Sequence, residues 1–353
     1  MTVAEAIKPR DAVIRMAPYS PPTGGRLGKL RMDFNENTVG CSPRIAQFLR
    51  DQISEAALSV YPDYTGVREA LAPHFGVAPD EILLTNGTDE AIQVLINTYV
   101  DDGDEVLLLR PSYAMYRFYA EVAGAAVHEI DYKAPDYAFP IAELIDSVGP
   151  RTKAVLVANP NNPTGSGVSL EAIESLVRKA SHAVVLIDEA YFEFSGVTGI
   201  GKLAQYPNLF VSRTFSKVYG MAAMRVGCLF SQAANVAYLH KAQSPYSVNA
   251  LAALAAREAV KDGDYIDRYV KEALAARDML CAGLDRLQIR YTPSSGNFVL
   301  GHFGSRALEV RDALRDHAIL VRDRSYEIPG GVRITVGTRE QTGRVLEELG
   351  RLW

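Results

Sequence analysis

The chain has 353 residues, of which 48% are hydrophobic and 22% charged, and no apolar run approaches the ~20 residues that a membrane helix needs. The length predicts two domains, or one large domain with a smaller lobe, because a single core seldom fills so long a chain. Lys plus Arg number 37 against 42 Asp plus Glu, and this net charge of −5 is dispersed, so neither nucleic acid nor a membrane is expected as a partner.

The numbers and spacing of cysteine and histidine argue against disulfide-rich and metal-binding proteins. Cys41, Cys228 and Cys281 are far apart and odd in number, as in a reducing compartment, whereas a zinc site or a disulfide framework needs closely paired thiols. The six histidines include no H-x-x-x-H pair, so we expect no metal. The first twenty residues lack the apolar core of a secretory signal, which predicts a cytoplasmic protein.

In chain order, residues 1–35 are rich in Pro and Gly and predict an N-terminal arm. Short apolar strands then alternate with helical stretches. The runs are EILLTNG (81–87) before TDEAIQVLINTYV, DEVLLLRP (104–111) before SYAMYRFYAEVAG, TKAVLVANP (152–160) before SLEAIESLVRKAS, and AVVLIDEAYFEF (183–194) before NLFVSRTFS. Runs that are apolar on both faces are typical of a mostly parallel sheet between two helical layers, so the fold class is α/β.

The later chain changes character. An alanine-rich helical stretch covers about 234 to 285, and SGNFVLGHF, ALEVRDALRDHA, ILVRD and VRITVGT follow it. This order predicts a small α+β domain. We therefore place a large domain at 36–240 and a small C-terminal domain at 241–353.

Polar residues follow the predicted strands of the large domain. Because the carboxyl ends of parallel strands open into one crevice, we expect these residues to converge. Singly, each has an ordinary structural explanation, such as a turn at Asn-Pro-Thr-Gly. The residues are Gly87, Thr88 and Asp89 after the first strand, Asn162 in NPNNPTG after the third, Asp188 and Tyr191 at the end of the fourth, and Thr214, Ser216, Lys217 and Arg225 after the fifth.

In this order, NPNNPTG, DEAY and S-K-x7-R resemble the pyridoxal-phosphate-dependent aminotransferases of the aspartate aminotransferase fold, called fold type I. The resemblance extends over essentially the whole chain, from MDFNEN to VRITVGT. It implies a large domain with a mostly parallel seven-stranded sheet between helices and a small α+β C-terminal domain. It also implies pyridoxal 5′-phosphate as cofactor and a homodimer with shared active sites.

The same resemblance implies the catalytic roles. Lys217 would hold the cofactor as a Schiff base and later carry a proton as base and acid, which requires an amine that is neutral near pH 7. Asp188 would lie against the pyridine nitrogen and keep it protonated. Asn162 and Tyr191 would hydrogen-bond the 3′ oxygen of the ring, and Tyr113 would stack on its face.

For the cofactor phosphate, the resemblance implies a helix start and the loop after the fifth strand. The groups are the backbone N–H groups of Gly87 and Thr88 or Asp89, together with Thr214, Ser216 and Arg225. Tyr61, in VYPDY, matches a tyrosine that reaches the phosphate from the neighbouring subunit. Its alternative interpretation is a packed loop tyrosine.

The substrate-binding residues implied by the resemblance are Tyr19, Arg322 and Arg333. Arg333 matches the arginine that binds an α-carboxylate, for which a planar guanidinium is suited. DFNENTVGCSP, YPD, TNGTDEAI and VRITVGTRE look most like the histidinol-phosphate aminotransferase branch, in which Tyr19 and Arg322 match positions used for the substrate phosphate. That donor has no carboxylate on its amine-bearing carbon, so Arg333 would bind either the phosphate or the carboxylate of glutamate.

Several alternatives stay open. Aromatic amino-acid aminotransferases and a phosphothreonine decarboxylase share nearly all the cofactor motifs. Arg324 is either part of a specificity pocket or a solvated charge. Two alternatives lie outside the aminotransferases. A nicotinamide-dependent dehydrogenase would need G-x-G-x-x-G after an early strand, and that motif is absent. A regulator on this fold would need a DNA-binding module, for which we expect no spare residues before the fold begins.

Overall fold

A computed structural model describes residues 7–18 and 24–353, and Tyr19 lies outside these residues. Twelve strands of the described part form two sheets. The strands are β1 (Leu30–Met32), β2 (Ile82–Thr85), β3 (Glu105–Arg110), β4 (Ala126–Asp131), β5 (Thr152–Ala158), β6 (Val184–Asp188), β7 (Leu209–Thr214), β8 (Gly227–Phe230), β9 (Tyr291–Thr292), β10 (Phe298–His302), β11 (Ile319–Asp323) and β12 (Gly331–Thr335).

Helices connect and cover these strands. The helices of the described residues are α1 (Asp11–Arg15), α2 (Pro43–Gln52), α3 (Glu55–Leu58), α4 (Thr65–Phe75), α5 (Gly87–Tyr99), α6 (Ala114–Ala123), α7 (Ile141–Ser147), α8 (Leu170–Lys179), α9 (Phe192–Ser195), α10 (Ala233–Ala242), α11 (Ala250–Ala259), α12 (Gly263–Arg286), α13 (Ala307–Asp316) and α14 (Arg339–Leu352).

The larger sheet has seven strands in the order β2-β8-β7-β6-β5-β3-β4. Strand β8 is antiparallel to both of its neighbours, and every other pairing in the sheet is parallel. The prediction of a mostly parallel seven-stranded sheet is therefore confirmed. The carboxyl ends of β5, β6 and β7 lie at one edge, where the loops with the predicted polar residues begin.

Both faces of this sheet are buried, which explains the continuous apolar runs. In β5, Val155 and Val157 pack into one hydrophobic cluster with Leu176 of α8, while Ala154 and Leu156 pack into a second cluster on the opposite face. Alternation along each strand assigns successive side chains to the two layers. Each aliphatic side chain buried in this way contributes roughly 1.5–3 kcal/mol, so the layers hold the strand ends firmly.

The second sheet has five strands in the order β1-β11-β12-β10-β9 and forms a third hydrophobic cluster with α13 and α14. Its edge strand β1 comes from the segment that we expected to be an arm. Leu30 to Met32 pair in parallel with 319–321, and Met32 is fully buried. The end of that segment is thus a core element, because its alternating apolar residues complete a sheet formed by the far end of the chain.

None of the helices in 7–18 and 24–353 combines the length and apolar character needed to span a bilayer. In the same ranges, no three or more His, Cys, Asp or Glu side chains are grouped so that they could bind a metal ion.

Candidate active site

A cavity of about 360 Å³ opens at the carboxyl ends of the central strands. The loops after β2, β5, β6 and β7 all reach it, as expected for side chains that follow parallel strands. Ten of the residues predicted from the sequence line it: Thr88, Asp89, Tyr113, Asn162, Asp188, Tyr191, Thr214, Ser216, Lys217 and Arg225.

Lys217 follows β7, and within the described residues its amine makes one hydrogen bond. Its Nζ donates to the backbone carbonyl of Phe34 at 2.9 Å. The pKa of Lys217 is lowered to about 8, mainly by burial and also by the positive charge of Arg333, while Glu36 opposes both effects. A substantial fraction of this amine is therefore neutral near physiological pH, as a nucleophilic lysine requires.

Asp188 ends β6 and is buried at the base of the cavity. The Tyr116 hydroxyl donates to its Oδ2 at 2.7 Å, and the Ser212 hydroxyl donates to its Oδ1 at 2.9 Å. Burial raises the pKa of Asp188, and these two donors partly counteract the effect. Tyr116 was not predicted from the sequence, although it lies three residues after Tyr113, the residue that precedes α6.

The start of α5 forms the polar end of the cavity. Gly87 has φ of +72°, and a Cβ atom there would lie 2.6 Å from Nη2 of Arg225. Arg225 Nη2 bonds Asp89 at 3.2 Å, and its Nη1 donates to the Ser216 hydroxyl at 3.4 Å. Tyr113 donates to the other oxygen of Asp89 at 2.6 Å. The first N–H groups of a helix have no partner within the helix, and here a guanidinium lies beside them, which is an arrangement that favours a phosphate.

Behind this cavity lies Arg333, which contacts the cavity-lining Asn162. Its Nη1 donates to Oδ1 of Asn162 and its Nη2 donates to the backbone carbonyl of Asp33 at 2.5 Å. The Nε of Arg333 is buried and has no partner among the described residues. Burial lowers the pKa of this guanidinium to about 10. It therefore keeps its charge at neutral pH and has an unused donor.

The other predicted substrate and cofactor residues lie elsewhere in this single chain. The Arg322 guanidinium lies 5.5 Å from the ring centroid of Phe34, and this side chain makes no hydrogen bond or ion pair within the described residues. Arg324 is mostly buried and pairs with Glu327, so it is not a solvated charge. Tyr61 is 75% exposed and lies outside the cavity, and its ring stacks on that of Tyr246 with the centroids 4.4 Å apart.

Three further cavity residues were not predicted: Arg26 and Phe34, which come from the expected arm, and Glu36, which follows it directly. Arg26 makes paired hydrogen bonds to both Asp33 and Glu36, with distances of 2.8 to 3.1 Å. Its guanidinium also lies 4.2 Å from the centroid of the Phe34 ring. For Phe34 and Glu36, the motif MDFNEN could have served as a signal, because it is part of the resemblance to the family. The resemblance gave this motif no role in the site.

The model of the family "Aminotransferase class I and II" matches residues 28–349. The chain belongs to the class I and II aminotransferases. Among this family, it is 33% identical over 353 residues to histidinol-phosphate aminotransferase 2 of Pseudomonas fluorescens, covering 98% of this chain and 93% of the relative. It is 36% identical over 327 residues to a histidinol-phosphate aminotransferase of Caldanaerobacter subterraneus subsp. tengcongensis, covering 91% and 92%.

A solved structure supports the fold of this class I and II aminotransferase. Histidinol-phosphate aminotransferase from Sinorhizobium meliloti, in complex with pyridoxal-5′-phosphate, superposes with a TM-score of 0.88 and covers 99% of both chains at 24% identity. The resemblance inferred from NPNNPTG, DEAY and S-K-x7-R is thus confirmed at the level of family and fold. The roles of the individual site residues stay predictions.

Proposed function

We propose that this chain is a pyridoxal-phosphate-dependent aminotransferase that converts L-histidinol phosphate and 2-oxoglutarate to imidazole acetol phosphate and L-glutamate. The observation that carries the proposal is the presence, in one cavity, of the Lys217 amine with a lowered pKa of about 8 and the buried carboxylate of Asp188. The names of the relatives support the choice of amino donor.

The residues present fit this cofactor on structural grounds. The close approach of Gly87 to Arg225 leaves backbone N–H groups and a guanidinium available to a phosphate, while a side chain at position 87 would fill that space. Asp188 offers a buried acceptor to a protonated ring nitrogen, and Asn162 and Tyr191 offer polar groups to a ring oxygen. Tyr113 offers an aromatic surface.

When bound, pyridoxal phosphate supplies an electron sink for the charge released at the amine-bearing carbon of the substrate. Lys217 supplies the base, because its amine can be neutral, and it later returns the proton as an acid. Asp188 holds a positive charge at the ring nitrogen, since burial strengthens the attraction between opposite charges. Arg225 and Ser216 fix the phosphate end, so the Lys217 amine keeps a constant position relative to the reacting carbon.

Binding of the donor phosphate is assigned to Arg322, Arg333 and Tyr19. The Arg322 side chain forms no direct ion pair among the described residues, so it can accept a dianion without breaking one. Arg333 keeps its charge and has an unpaired Nε, which suits either that phosphate or the carboxylate of glutamate. Tyr19 lies outside the described residues and enters the proposal from the resemblance alone.

We infer further that the enzyme is a homodimer with shared active sites. Exposed apolar side chains surround Tyr61, among them Leu58, Val60 and Tyr246. An exposed apolar patch of this kind is typical of a protein interface. Across such an interface, Tyr61 would reach the phosphate of the neighbouring subunit. The cytoplasmic location stays a prediction from the sequence.

Two measurements test this proposal. Borohydride treatment of the purified protein should remove a visible absorbance band and leave the cofactor mass on Lys217. Arg322→Ala should then lower kcat/KM for histidinol phosphate by about 10- to 150-fold, the equivalent of a lost charged hydrogen bond of ~1.5–3 kcal/mol, and change that for phenylalanine little.

Histidinol, which lacks the phosphate, is the control substrate. Equal losses for histidinol phosphate, histidinol and phenylalanine would contradict the phosphate-binding role of Arg322. If Arg322→Ala had no effect and Arg333→Ala abolished turnover of phenylalanine, the enzyme would be an aromatic amino-acid aminotransferase.

A further inference from the structure

Residues 33–36, with the sequence DFNE, contact three predicted functional residues in succession. The carbonyl of Asp33 accepts from Arg333, and the carbonyl of Phe34 accepts from Lys217 at 2.9 Å. The side chain of Asn35 donates from Nδ2 to the Tyr191 hydroxyl oxygen at 2.9 Å. No role has so far been assigned to Asn35.

Asn35 is fully buried and has a left-handed backbone with φ of +56°. Its backbone N–H donates to the Thr335 hydroxyl at 3.0 Å, and that hydroxyl donates back to Oδ1 of Asn35 at 2.9 Å. Its carbonyl accepts from Asn297 at 3.2 Å. Four hydrogen bonds therefore fix one residue in a conformation that asparagine tolerates better than most residues.

These contacts also fix which way the amide faces. Thr335 is buried, and its hydroxyl hydrogen needs an acceptor, since its oxygen already accepts the Asn35 N–H. The only acceptor on the Asn35 side chain is Oδ1, so Oδ1 faces Thr335 and Nδ2 faces Tyr191. An exchange of the two amide atoms would leave the hydroxyl hydrogen without this acceptor.

The direction of the Asn35 to Tyr191 bond has a chemical consequence. An amide NH₂ carries donors only, so the Tyr191 oxygen must accept, and its own hydrogen must point elsewhere. Tyr191 lines the cavity, and its ring edge packs against Phe298 with the centroids 5.1 Å apart. Burial raises the pKa of Tyr191, whereas the positive charge of Arg333 and the bond from Asn35 lower it and make the hydroxyl a better donor.

We propose that Asn35 is a positioning residue that directs the hydroxyl proton of Tyr191 into the cavity, toward the ring oxygen of the bound cofactor. This inference rests on the proposed function, because it takes pyridoxal phosphate as the molecule in the cavity. Asn35 does not touch the cofactor in this role and acts through Tyr191.

The test measures the pH midpoint of the visible band of the holoenzyme. A donor to the ring oxygen favours its deprotonated form, so loss of the donor should raise the midpoint. Tyr191→Phe should raise it by about one to two pH units, the equivalent of a lost charged hydrogen bond. Asn35→Gly keeps the left-handed backbone and removes the amide, and it should raise the midpoint by less than Tyr191→Phe does.

The decisive measurement is the double variant. If Asn35 acts through Tyr191, Asn35→Gly should add no shift in the Tyr191→Phe background. Asn37→Gly is the matched control, because Asn37 is a buried asparagine directly after this segment and its Nδ2 donates to the backbone carbonyl of Val218. That control should leave the midpoint unchanged, and cofactor affinity, measured by fluorescence titration, shows that each variant folds.

Each outcome has one interpretation. A wild type without a visible band overturns the proposed function and this inference with it. A Tyr191→Phe variant with an unchanged midpoint overturns the inference alone. An intact band that shifts in Tyr191→Phe but not in Asn35→Gly overturns the inference alone. An equal shift in Asn37→Gly, or one that persists in the double variant, also overturns it. If Asn35→Gly does not fold, Asn35→Asp replaces it, because a carboxylate accepts hydrogen bonds and cannot donate one to Tyr191. Asn35→Asp should then raise the pH midpoint more in the wild-type background than in the Tyr191→Phe background.

Discussion

The chemistry of the site depends on one amine whose surroundings oppose its charge. Lys217 is placed among groups of both signs, with Arg333 and Arg225 lowering its pKa and Glu36 and Asp188 raising it, but burial is the largest effect. We predict that Lys217→Ala still binds the cofactor, because the phosphate contacts and Asp188 are unchanged. Its turnover should fall at least ~100-fold, the low end of acid–base catalysis. A single-turnover assay that found more residual activity would contradict the role of Lys217.

The same amine gives a pH prediction for the cofactor-free protein. Since its pKa is lowered to about 8, the neutral form should predominate above pH 8 and decline below it. The rate of reductive methylation at Lys217, followed by peptide mass spectrometry, should therefore be half-maximal near pH 8. Arg333→Gln removes a cation, so the midpoint should move to higher pH. A midpoint that stays at the ordinary lysine value would show that the amine is solvated.

At the scale of elements, we propose the start of α5 as the phosphate end of the site, because its first residue, Gly87, has no side chain. Gly87→Ala should weaken cofactor binding by at least ~10-fold, since the new Cβ would collide with Nη2 of Arg225. Gly103→Ala is the matched control. Gly103 also has a positive φ, of +84°, but open space surrounds its Cβ position. Both variants should lose about 1 kcal/mol of stability from backbone strain, and only the first should change the dissociation constant of the cofactor.

Local patterns in the sequence could predict the central strands and the loops after them. Strands β3, β5, β6 and β7 appear as apolar runs because both of their faces are buried, and their carboxyl ends gave most of the cavity residues. Strand β4 was not singled out, because it lies at the sheet edge and alternates exposed residues with partly buried ones. Strand β8 was not singled out either.

The contribution of the expected arm could not be predicted from local patterns. Strand β1 has three residues, and its partner β11 is far away in the chain, with Leu30 opposite Ile319. That pairing brings the following residues, including Phe34 and Glu36, to Lys217. Long-range pairing of this kind depends on tertiary packing, so composition alone indicated only a loop rich in Pro and Gly.

At the scale of the whole molecule, the two sheets are linked by one long helix. The first half of α12 packs Tyr269 and Ala273 into the core of the larger sheet, and its second half packs Leu280 and Leu284 into the core of the smaller sheet. Arg333, on β12 of the smaller sheet, contacts Asn162 in the loop after β5 of the larger one. The site therefore includes residues that both sheets hold in place.

The predicted dimer can be tested by mixing variants. Tyr61→Ala and Lys217→Ala homodimers should each be inactive or nearly so, but a mixed dimer contains one site in which both residues are intact. Activity should therefore reappear after subunit exchange, up to about a quarter of the wild-type value for random pairing. Exchange is verified by mass spectrometry of differently tagged chains. Verified exchange without recovery would place Tyr61 in its own subunit's site, or outside any site.

The exposure of Tyr61 also has a genetic consequence. If that side chain completes a neighbour's site, each polypeptide lends part of itself to another copy, and the products of two alleles would interact in the same cell. A chain that has lost Lys217 would still serve a normal partner. A chain that has lost Tyr61 would inactivate the site of a normal partner, whereas its own site would stay intact. Two recessive defects at these positions would then complement each other, although they lie in one gene.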